Sequence, residues 1–230
     1  MDLDTLKGRI ARVRERVEAA RQRAGRSDAV TLVAVTKTHP PALLRTAIAA
    51  GLCDLGENRV QELDDKVAEL GRSAARWHLI GHLQRNKAAR AVALCDLVHS
   101  VDSLRLAEAL SRSADAAATV LPVLVQVNVS GETSKSGFAA DCAVDEIARI
   151  AALPALRVEG LMTMAPFTDD QALIRRVFGG TRRLLEEAVR QVPVLVGREL
   201  SMGMSNDYEV AVEEGATLVR VGSSLFGERE

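Results

Sequence analysis

This chain of 230 residues contains few aromatic residues and has almost no net charge. Aromatic residues make up 3% of the sequence, and 30 Lys and Arg nearly balance 31 Asp and Glu. Nucleic-acid sites combine a basic surface with aromatic side chains that stack on bases, so this composition argues against a nucleic-acid partner. No apolar run approaches the roughly 18 residues that a membrane helix needs, so we expect no membrane span.

Cysteine is also rare, with 3 residues that lie far apart at Cys53, Cys95 and Cys142. An odd number without a C-x-x-C motif favours neither a disulfide framework nor a zinc site. This usage predicts a reduced, cytoplasmic setting.

The chain begins with a pattern typical of an amphipathic helix rather than of a targeting segment. The acidic residues Glu15 and Glu18 argue against a transit peptide, because such peptides contain few acids. Gly25 is the predicted stop of this helix. Its apolar residues recur at steps of three and four: Leu3, Leu6, Ile10, Val13 and Val17.

Strand-like and helix-like segments then alternate to the end of the chain. The predicted strands are 30–36, 52–56, 76–80, 95–99, 120–128, 156–162, 198–202 and 217–221. The predicted helices are 41–50, 58–70, 84–93, 103–117, 140–152, 169–191 and 206–214. Strict alternation indicates a parallel sheet, and eight strands in about 200 residues predict an α/β fold with one (β/α)8 TIM barrel. We expect a single domain, 1–230; a doubly wound open sheet is the alternative.

Lys37 ends the first predicted strand, which is rich in β-branched residues, and Pro40 follows it. Barrels carry their chemistry at the carboxyl ends of the strands. An amine in a partly desolvated pocket there can act as a nucleophile toward carbonyls. The alternative is a solvated lysine that ends a strand.

Arg220, on the last predicted strand, is the expected neighbour of Lys37. The first and last strands of a barrel are adjacent, and alternate residues on each face inward. Side by side, two cations require an anion or a polarised ligand between them. If the register is reversed, Arg220 instead forms a salt bridge to an outer helix.

Two loops near the end of the chain have the chemistry of a phosphate site. In the loop 200–207, Ser205 is the predicted N-cap of the next helix. In the loop 220–227, Gly222, Ser223 and Ser224 open a short helix whose N–H groups can bind an anion. An amine that faces a phosphate cradle suggests a phosphorylated aldehyde, and pyridoxal phosphate (PLP) fits this description.

Seven segments of the sequence together are specific to one protein family. They are LVAVTKTHP (32–40), LGENRVQE (55–62), WHLIGHLQRNK (77–87), HSVD (99–102), VLVQVNVSGETSKSGF (123–138), GLMTM (160–164) and LSMGMSNDYEVAVEEGATLVRVGSSLFGER (200–229). Through them the chain resembles the pyridoxal phosphate homeostasis protein family almost from end to end. A small difference is Leu55, where the family is expected to have an aromatic residue.

The resemblance implies a barrel similar to the N-terminal domain of alanine racemase, with Lys37 as the lysine that binds PLP as a Schiff base. It implies Asn58 beside the cofactor ring and Arg220 beside the pyridine nitrogen. At the phosphate it implies Ser201, Met202, Ser205, Gly222 and Ser223.

Two classes of function follow from this resemblance. A carrier would buffer PLP and deliver it to apo-enzymes, whereas an amino-acid racemase would need a second base on the opposite face of the cofactor. In alanine racemases that base is a tyrosine from a further C-terminal domain. This sequence ends just after the eighth strand, and its single tyrosine, Tyr208, is expected to lie on a helix surface or to pack. We therefore expect a monomeric carrier with an accessible cofactor and no catalytic residues. A barrel enzyme for another phosphorylated aldehyde or ketone is the third alternative.

Other polar residues in these motifs have less specific interpretations. Glu57 pairs with Arg59 or a helix, or else contacts the cofactor. His78 and His82 are four residues apart, but on a strand and loop rather than a helix, which does not favour zinc. Lys135 is expected to be a solvated loop lysine; a second amine near the cofactor is the alternative.

Overall fold

A computed structural model describes residues 1–132, 135–195 and 197–227. The strands are β1 (Thr31–Val35), β2 (Asp54–Glu57), β3 (Arg76–Leu79), β4 (Leu97–Val101), β5 (Leu121–Asn128), β6 (Phe138–Ala139), β7 (Leu156–Met162), β8 (Glu199–Ser201) and β9 (Leu218–Val221). The α-helices are α1 (Leu3–Arg23), α2 (Pro41–Ala49), α3 (Val60–Leu70), α4 (Ala88–Leu94), α5 (Leu104–Ala116), α6 (Ala143–Ala151), α7 (Gln171–Gln191), α8 (Tyr208–Glu213) and α9 (Ser223–Phe226).

Eight of these strands form a closed parallel barrel, which confirms the predicted fold. The order around the ring is β1–β2–β3–β4–β5–β7–β8–β9, and β9 pairs with β1 to close it. The two-residue strand β6 pairs with β5 outside the ring and has no counterpart among the predicted strands. Strands from near both ends of the sequence, β1 and β9, thus pair to close one ring.

The interior of the barrel contains a small apolar layer, distinct from the larger core between the sheet and the helices. Its members come from five strands: Val33, Leu97, Leu124, Met162 and Leu218. Val33 and Leu218 face inward, so Val35 and Arg220, two residues further along their strands, face inward too. This is the predicted register, and it contradicts the alternative in which Arg220 reaches an outer helix.

Element boundaries differ from prediction mainly where capping decides them. The fourth strand begins at Leu97 rather than at 95, because the backbone N–H of Cys95 closes α4 on Ala91 and Asp96 accepts a bond from the N–H of Trp77 at 2.7 Å. The helix predicted over 84–93 begins with a 3-10 turn, Arg85–Lys87, before α4. Gly25 follows the end of α1 with φ 65°, which confirms it as the stop.

Helix α1 packs on α2, α8 and α9, beside the first and last strands. Its buried face is the predicted apolar stripe without Leu3, together with Ala20. Arg9 donates to the carbonyl oxygen of Leu225 at 3.2 Å, which ties α1 to α9. Within the described ranges, no helix is both long and apolar enough to cross a lipid bilayer.

Candidate functional site

A cavity of about 730 Å³ lies at the carboxyl ends of the barrel strands. Ligand sites in proteins commonly have this size, and barrels place them at this end. Six of the eight predicted site residues line it, and Ser201 and Met202 are not among the lining residues. The six are Lys37, Asn58, Ser205, Arg220, Gly222 and Ser223.

Lys37 lies in the turn after β1, and hydrogen bonds hold the backbone on both sides of it. The carbonyl oxygen of Thr36 accepts a bond from Nζ of Lys66 at 2.7 Å. On the other side, the N–H of Thr38 donates to Oε2 of Glu62 at 2.8 Å. Thr38 has φ 66°, a conformation that is uncommon for a β-branched residue. The turn that carries Lys37 is therefore fixed from α3.

Lys66 belongs to a buried ion pair that sequence reasoning missed. Its Nζ lies 2.7 Å from Oε1 of Glu57, and both side chains are almost fully buried. The Thr36 hydroxyl donates to the same oxygen of Glu57. Glu57 thus pairs with Lys66 rather than with Arg59, and it does not line the cavity. The signal available in the sequence was that Lys66 follows Leu63 by three residues, on the buried face of α3.

Burial raises the pKa of the Glu57 carboxyl, and the charge of Lys66 partly offsets this effect. Oε2 of Glu57 is buried without a hydrogen-bond partner among the described residues. A carboxylate in this setting depends strongly on its single cationic neighbour.

Arg220 is 3% exposed and lies on the inner surface of the cavity. Its NH1 donates to the Ser201 hydroxyl at 2.6 Å, and its NH2 donates to the carbonyl oxygen of Thr163 at 2.9 Å. Burial lowers the pKa of Arg220 to about 10, partly offset by the charge of Asp207.

Arg220 pairs in register with Val33, whereas Lys37 comes four residues after Val33 in the following turn. The two cations therefore share the cavity at different depths rather than side by side. Their separation follows from the register of β1 and β9, which sequence parity alone does not fix.

Ser205 does not have the predicted capping role. Helix α8 begins at Tyr208 with Asp207 as its N-cap residue. The Ser205 hydroxyl instead accepts bonds from the N–H of Gly222 at 3.2 Å and of Ser224 at 3.4 Å. It therefore joins the loop after β8 to the start of α9, and both loops of the predicted phosphate cradle lie together at the cavity.

Ser201 and Met202, which the resemblance implies at the phosphate, are not among the residues that line the cavity. The Ser201 hydroxyl is fully buried between Arg220 and Nδ1 of His99, which is 2.8 Å away. Met202 is fully buried in the core between barrel and helices. Ser201 ends β8 facing inward, so the next residue faces the helices.

Lys135 lines the cavity, which contradicts its interpretation as a solvated loop lysine. Its side chain is 19% exposed, and Nζ lies 3.0 Å from Oε1 of Glu132. Nζ also donates to the carbonyl oxygen of Met164 at 3.4 Å. A second amine therefore faces the same space as Lys37. The position of Lys135 in a long loop after β5 made this placement hard to predict from the sequence.

Asp207 was also missed, although it lines the cavity. Its Oδ1 accepts a bond from the N–H of Met204 at 2.6 Å. Burial raises the pKa of Asp207, and its bond to Met204 and the charges of Arg220 and Lys135 oppose this.

Tyr208, by contrast, is 1% exposed and does not line the cavity. It packs in the core, which is one of the two placements predicted for it. The guanidinium of Arg16 lies 5.5 Å from the centre of its ring.

The described residues contain no candidate metal site. No group of three or more His, Cys, Asp or Glu side chains among them could hold an ion. His78 is buried inside the barrel, whereas Nδ1 of His82 lies 3.1 Å from Oδ2 of Asp102 near the surface.

Comparison with known proteins gives consistent matches over almost all of the chain. The family model for the alanine racemase N-terminal domain matches residues 9–230. A pyridoxal phosphate homeostasis protein of Pseudomonas aeruginosa is 44% identical over 234 residues, which cover 99% of this chain and 97% of that protein. A protein of the same name from Aquifex aeolicus is 40% identical, over 96% of this chain and 97% of that protein.

Solved structures agree with these matches. PipY of Synechococcus elongatus PCC7942, solved with PLP bound, has a TM-score of 0.86 and is 39% identical, covering 96% of this chain and 100% of PipY. Alanine racemase from Corynebacterium glutamicum has a TM-score of 0.73 at 20% identity, which shows a shared barrel fold. The chain spans 62% of that racemase. The barrel, the cavity and these matches together show that the chain belongs to the pyridoxal phosphate homeostasis protein family.

Proposed function

We propose that this protein binds PLP, holds it covalently through Nζ of Lys37, and serves as an intracellular PLP carrier. In this role it buffers the free cofactor and delivers it to apo-enzymes. One observation carries the proposal: Lys37, in a turn fixed from both sides, shares a cavity with the buried donor Arg220. Membership of the family supports it, since a PLP-bound structure exists for PipY.

The residues in the cavity fit the chemical groups of PLP. When bound, PLP supplies an aldehyde that forms a carbon–nitrogen double bond with a primary amine and releases water. Lys37 provides the amine, and Asn58 provides a polar neighbour for the ring. Arg220 carries only hydrogen-bond donors, so a ring nitrogen beside it would accept a bond and remain unprotonated. An unprotonated ring withdraws electrons less strongly, which suits a carrier better than a catalyst.

We place the phosphate at Ser205, Gly222 and Ser223. Hydroxyl groups and the backbone N–H groups of this cradle are typical phosphate ligands. Ser201 and Met202 lie outside the cavity, and we do not place them at the phosphate.

A PLP-dependent racemase is the alternative, and one observation favours it. Lys135 brings a second amine into the cavity, and racemisation requires a second base on the opposite face of the cofactor. Against it, the single tyrosine is buried away from the cavity. The relatives are also named for homeostasis rather than for catalysis. We therefore propose no catalytic residues.

We further propose that residues 1–230 act as one PLP-binding unit and work as a monomer with the cofactor accessible from one side. The 3 free cysteines favour a cytoplasmic location. Sedimentation at micromolar concentration should give the mass of one chain; a stable dimer would contradict the monomer.

An absorbance titration with PLP tests the function. The wild-type protein should develop a visible band, Lys37→Ala should not, and Lys135→Ala is the matched control because it removes the other cavity amine. The loaded wild type should then restore activity to an apo-enzyme. A protein that binds PLP but racemises amino acids, with Lys135→Ala inactive, would favour the racemase. An absence of any band in the wild type would overturn both.

A further inference from the structure

A continuous chain of hydrogen bonds runs through the barrel from Arg220 to Asp54, at the amino-terminal end of β2. The Ser201 hydroxyl contacts NH1 of Arg220 at 2.6 Å and Nδ1 of His99 at 2.8 Å. Nε2 of His99 lies 2.8 Å from Nδ1 of His78. Nε2 of His78 lies 2.9 Å from Oδ1 of Asp54. Five side chains from five strands therefore form one connected series.

Arg220 and Asp54, at the two ends of this series, favour the same direction of hydrogen bonding. Arg220 can only donate, so the Ser201 oxygen accepts from it and its single proton is given to Nδ1 of His99. A neutral His99 then carries its proton on Nε2 and donates to Nδ1 of His78. His78 in turn donates from Nε2 to the carboxylate of Asp54, which can only accept when ionised. Every position is satisfied with one proton on each imidazole.

The opposite direction leaves two faults. Nε2 of His78 would present a lone pair to the Asp54 carboxylate. The Ser201 hydroxyl would receive two donors, from Arg220 and His99, and its own proton would have no acceptor among the bonds of this series. A buried unpaired group of this kind costs about 1–3 kcal/mol. A doubly protonated His78 would remove the first fault but not the second, so the first direction is the one that satisfies every group of the series.

We propose that Asp54 is a remote positioning residue for Arg220, acting through the tautomers that it imposes on His78 and His99. Its negative charge sets the end of the series, and the Ser201 lone pair is thereby directed at the guanidinium. This deepens the proposed function, on which its importance for PLP rests, because it fixes the donor that would face the cofactor ring.

The surroundings of the series agree with this assignment. His78 and His99 are both fully buried, and burial, followed by the positive charge of Arg220, lowers the pKa of His99 well below 6.5. A neutral imidazole is what the directed series requires. Asp54 itself is 20% exposed and lines a second cavity of about 580 Å³. NH1 of Arg76 lies 3.7 Å from its carboxylate.

Nitrogen NMR of the histidines tests the inference without any cofactor. The protein has 4 histidines, so each ring can be assigned. In the wild type near pH 7, both His78 and His99 should be neutral with the proton on Nε2. A proton on Nδ1 of His99, or a charged His99, would overturn the proposal.

The Asp54→Asn variant tests whether the far end transmits its effect. An amide can donate as well as accept, so the preference for one tautomer weakens, and the two nitrogen shifts should move toward each other in both His78 and His99. Asp102→Asn is the matched control, because Asp102 pairs with His82 near the surface and its variant should move His82 alone. A change at His78 that leaves His99 unmoved would contradict transmission.

PLP absorbance separates this inference from the proposed function. In protein loaded with PLP, Asp54→Asn should shift the pH at which the visible band changes. Asp64→Asn, which loses a surface ion pair with Arg90 away from the cavity, should not. If the wild type shows the predicted tautomers but binds no PLP, the proposed function fails and the directed series stands. If PLP binds but the band of Asp54→Asn responds to pH as the wild type does, the role of Asp54 in positioning Arg220 fails.

Discussion

Nζ of Lys66 lies 2.7 Å from the carbonyl oxygen of Thr36, the residue immediately before Lys37. The buried Lys66 thus holds the backbone next to Lys37. Glu57 accepts from the same Nζ, so a single ion pair between β2 and α3 anchors the turn at the end of β1.

Replacing Lys66 by Met should destabilise the protein by about 3–5 kcal/mol, because the Glu57 carboxylate then remains buried without its cation. Urea unfolding measures the free energy. The double variant Lys66→Met, Glu57→Gln should recover part of this loss, since no charge is left unpaired. If the single variant loses less than about 1 kcal/mol, the ion pair does not anchor the turn.

Thermal unfolding should detect PLP binding independently of its colour. A ligand that binds only the folded protein stabilises it by about 2.7 kcal/mol at a concentration 100 times its dissociation constant. Wild-type protein should therefore melt at a higher temperature with PLP. Lys37→Ala should fold normally, and its melting temperature should rise much less. An equal rise in both proteins would show that Lys37 does not hold the cofactor.

Gly81→Ala should destabilise the cavity wall. A Cβ there would lie under 3.0 Å from three backbone atoms of Asn58, a contact that real Cβ atoms essentially never make. We expect a loss of about 1–3 kcal/mol and weaker PLP binding, since Asn58 must move. Gly8→Ala in α1 is the control. Its new methyl group has space, with the nearest atom at 3.9 Å, so it should stabilise by about 0.5–1 kcal/mol. Equal effects at both sites would refute the steric account.

His99 should make stability depend on pH. Burial lowers its pKa in the folded protein well below 6.5, so below that pH the unfolded chain takes up a proton that the folded protein refuses. The stability is present above pH 6.5 and is lost as the pH falls, with a slope of up to about 1.4 kcal/mol per pH unit.

The slope of the free energy of unfolding against pH, measured by urea unfolding between pH 5 and pH 7, checks this prediction. His99→Gln should have a shallower slope than the wild type by up to one proton. A wild-type slope no steeper than that of His99→Gln would show that His99 is not held neutral.

The barrel was predictable because its signals are local. Alternating apolar strands and amphipathic helices fix the fold class, and the position of Lys37 at the end of a β-branched strand follows from the same pattern. Boundaries such as the start of β4 at Leu97 were less predictable, since the Asp96 carboxylate and the end of α4 decide them together.

The site was only partly predictable because its decisive contacts join residues far apart in sequence. The Ser201 hydroxyl contacts His99, 102 positions away, and Lys66 supports Thr36 across 30 positions. Lys135 reaches the cavity through a loop whose path no periodicity indicates. Side-chain direction at Ser201 and Met202 depends on the register of a three-residue strand, β8, which the motif alone does not define.

The most direct measurement is borohydride reduction of the PLP-loaded protein, followed by peptide mass mapping. The account predicts one reduced pyridoxyl group on Lys37, present in Lys135→Ala and lost in Lys37→Ala. A group found on Lys135 alone, or no adduct at all on a protein saturated with PLP, would contradict it.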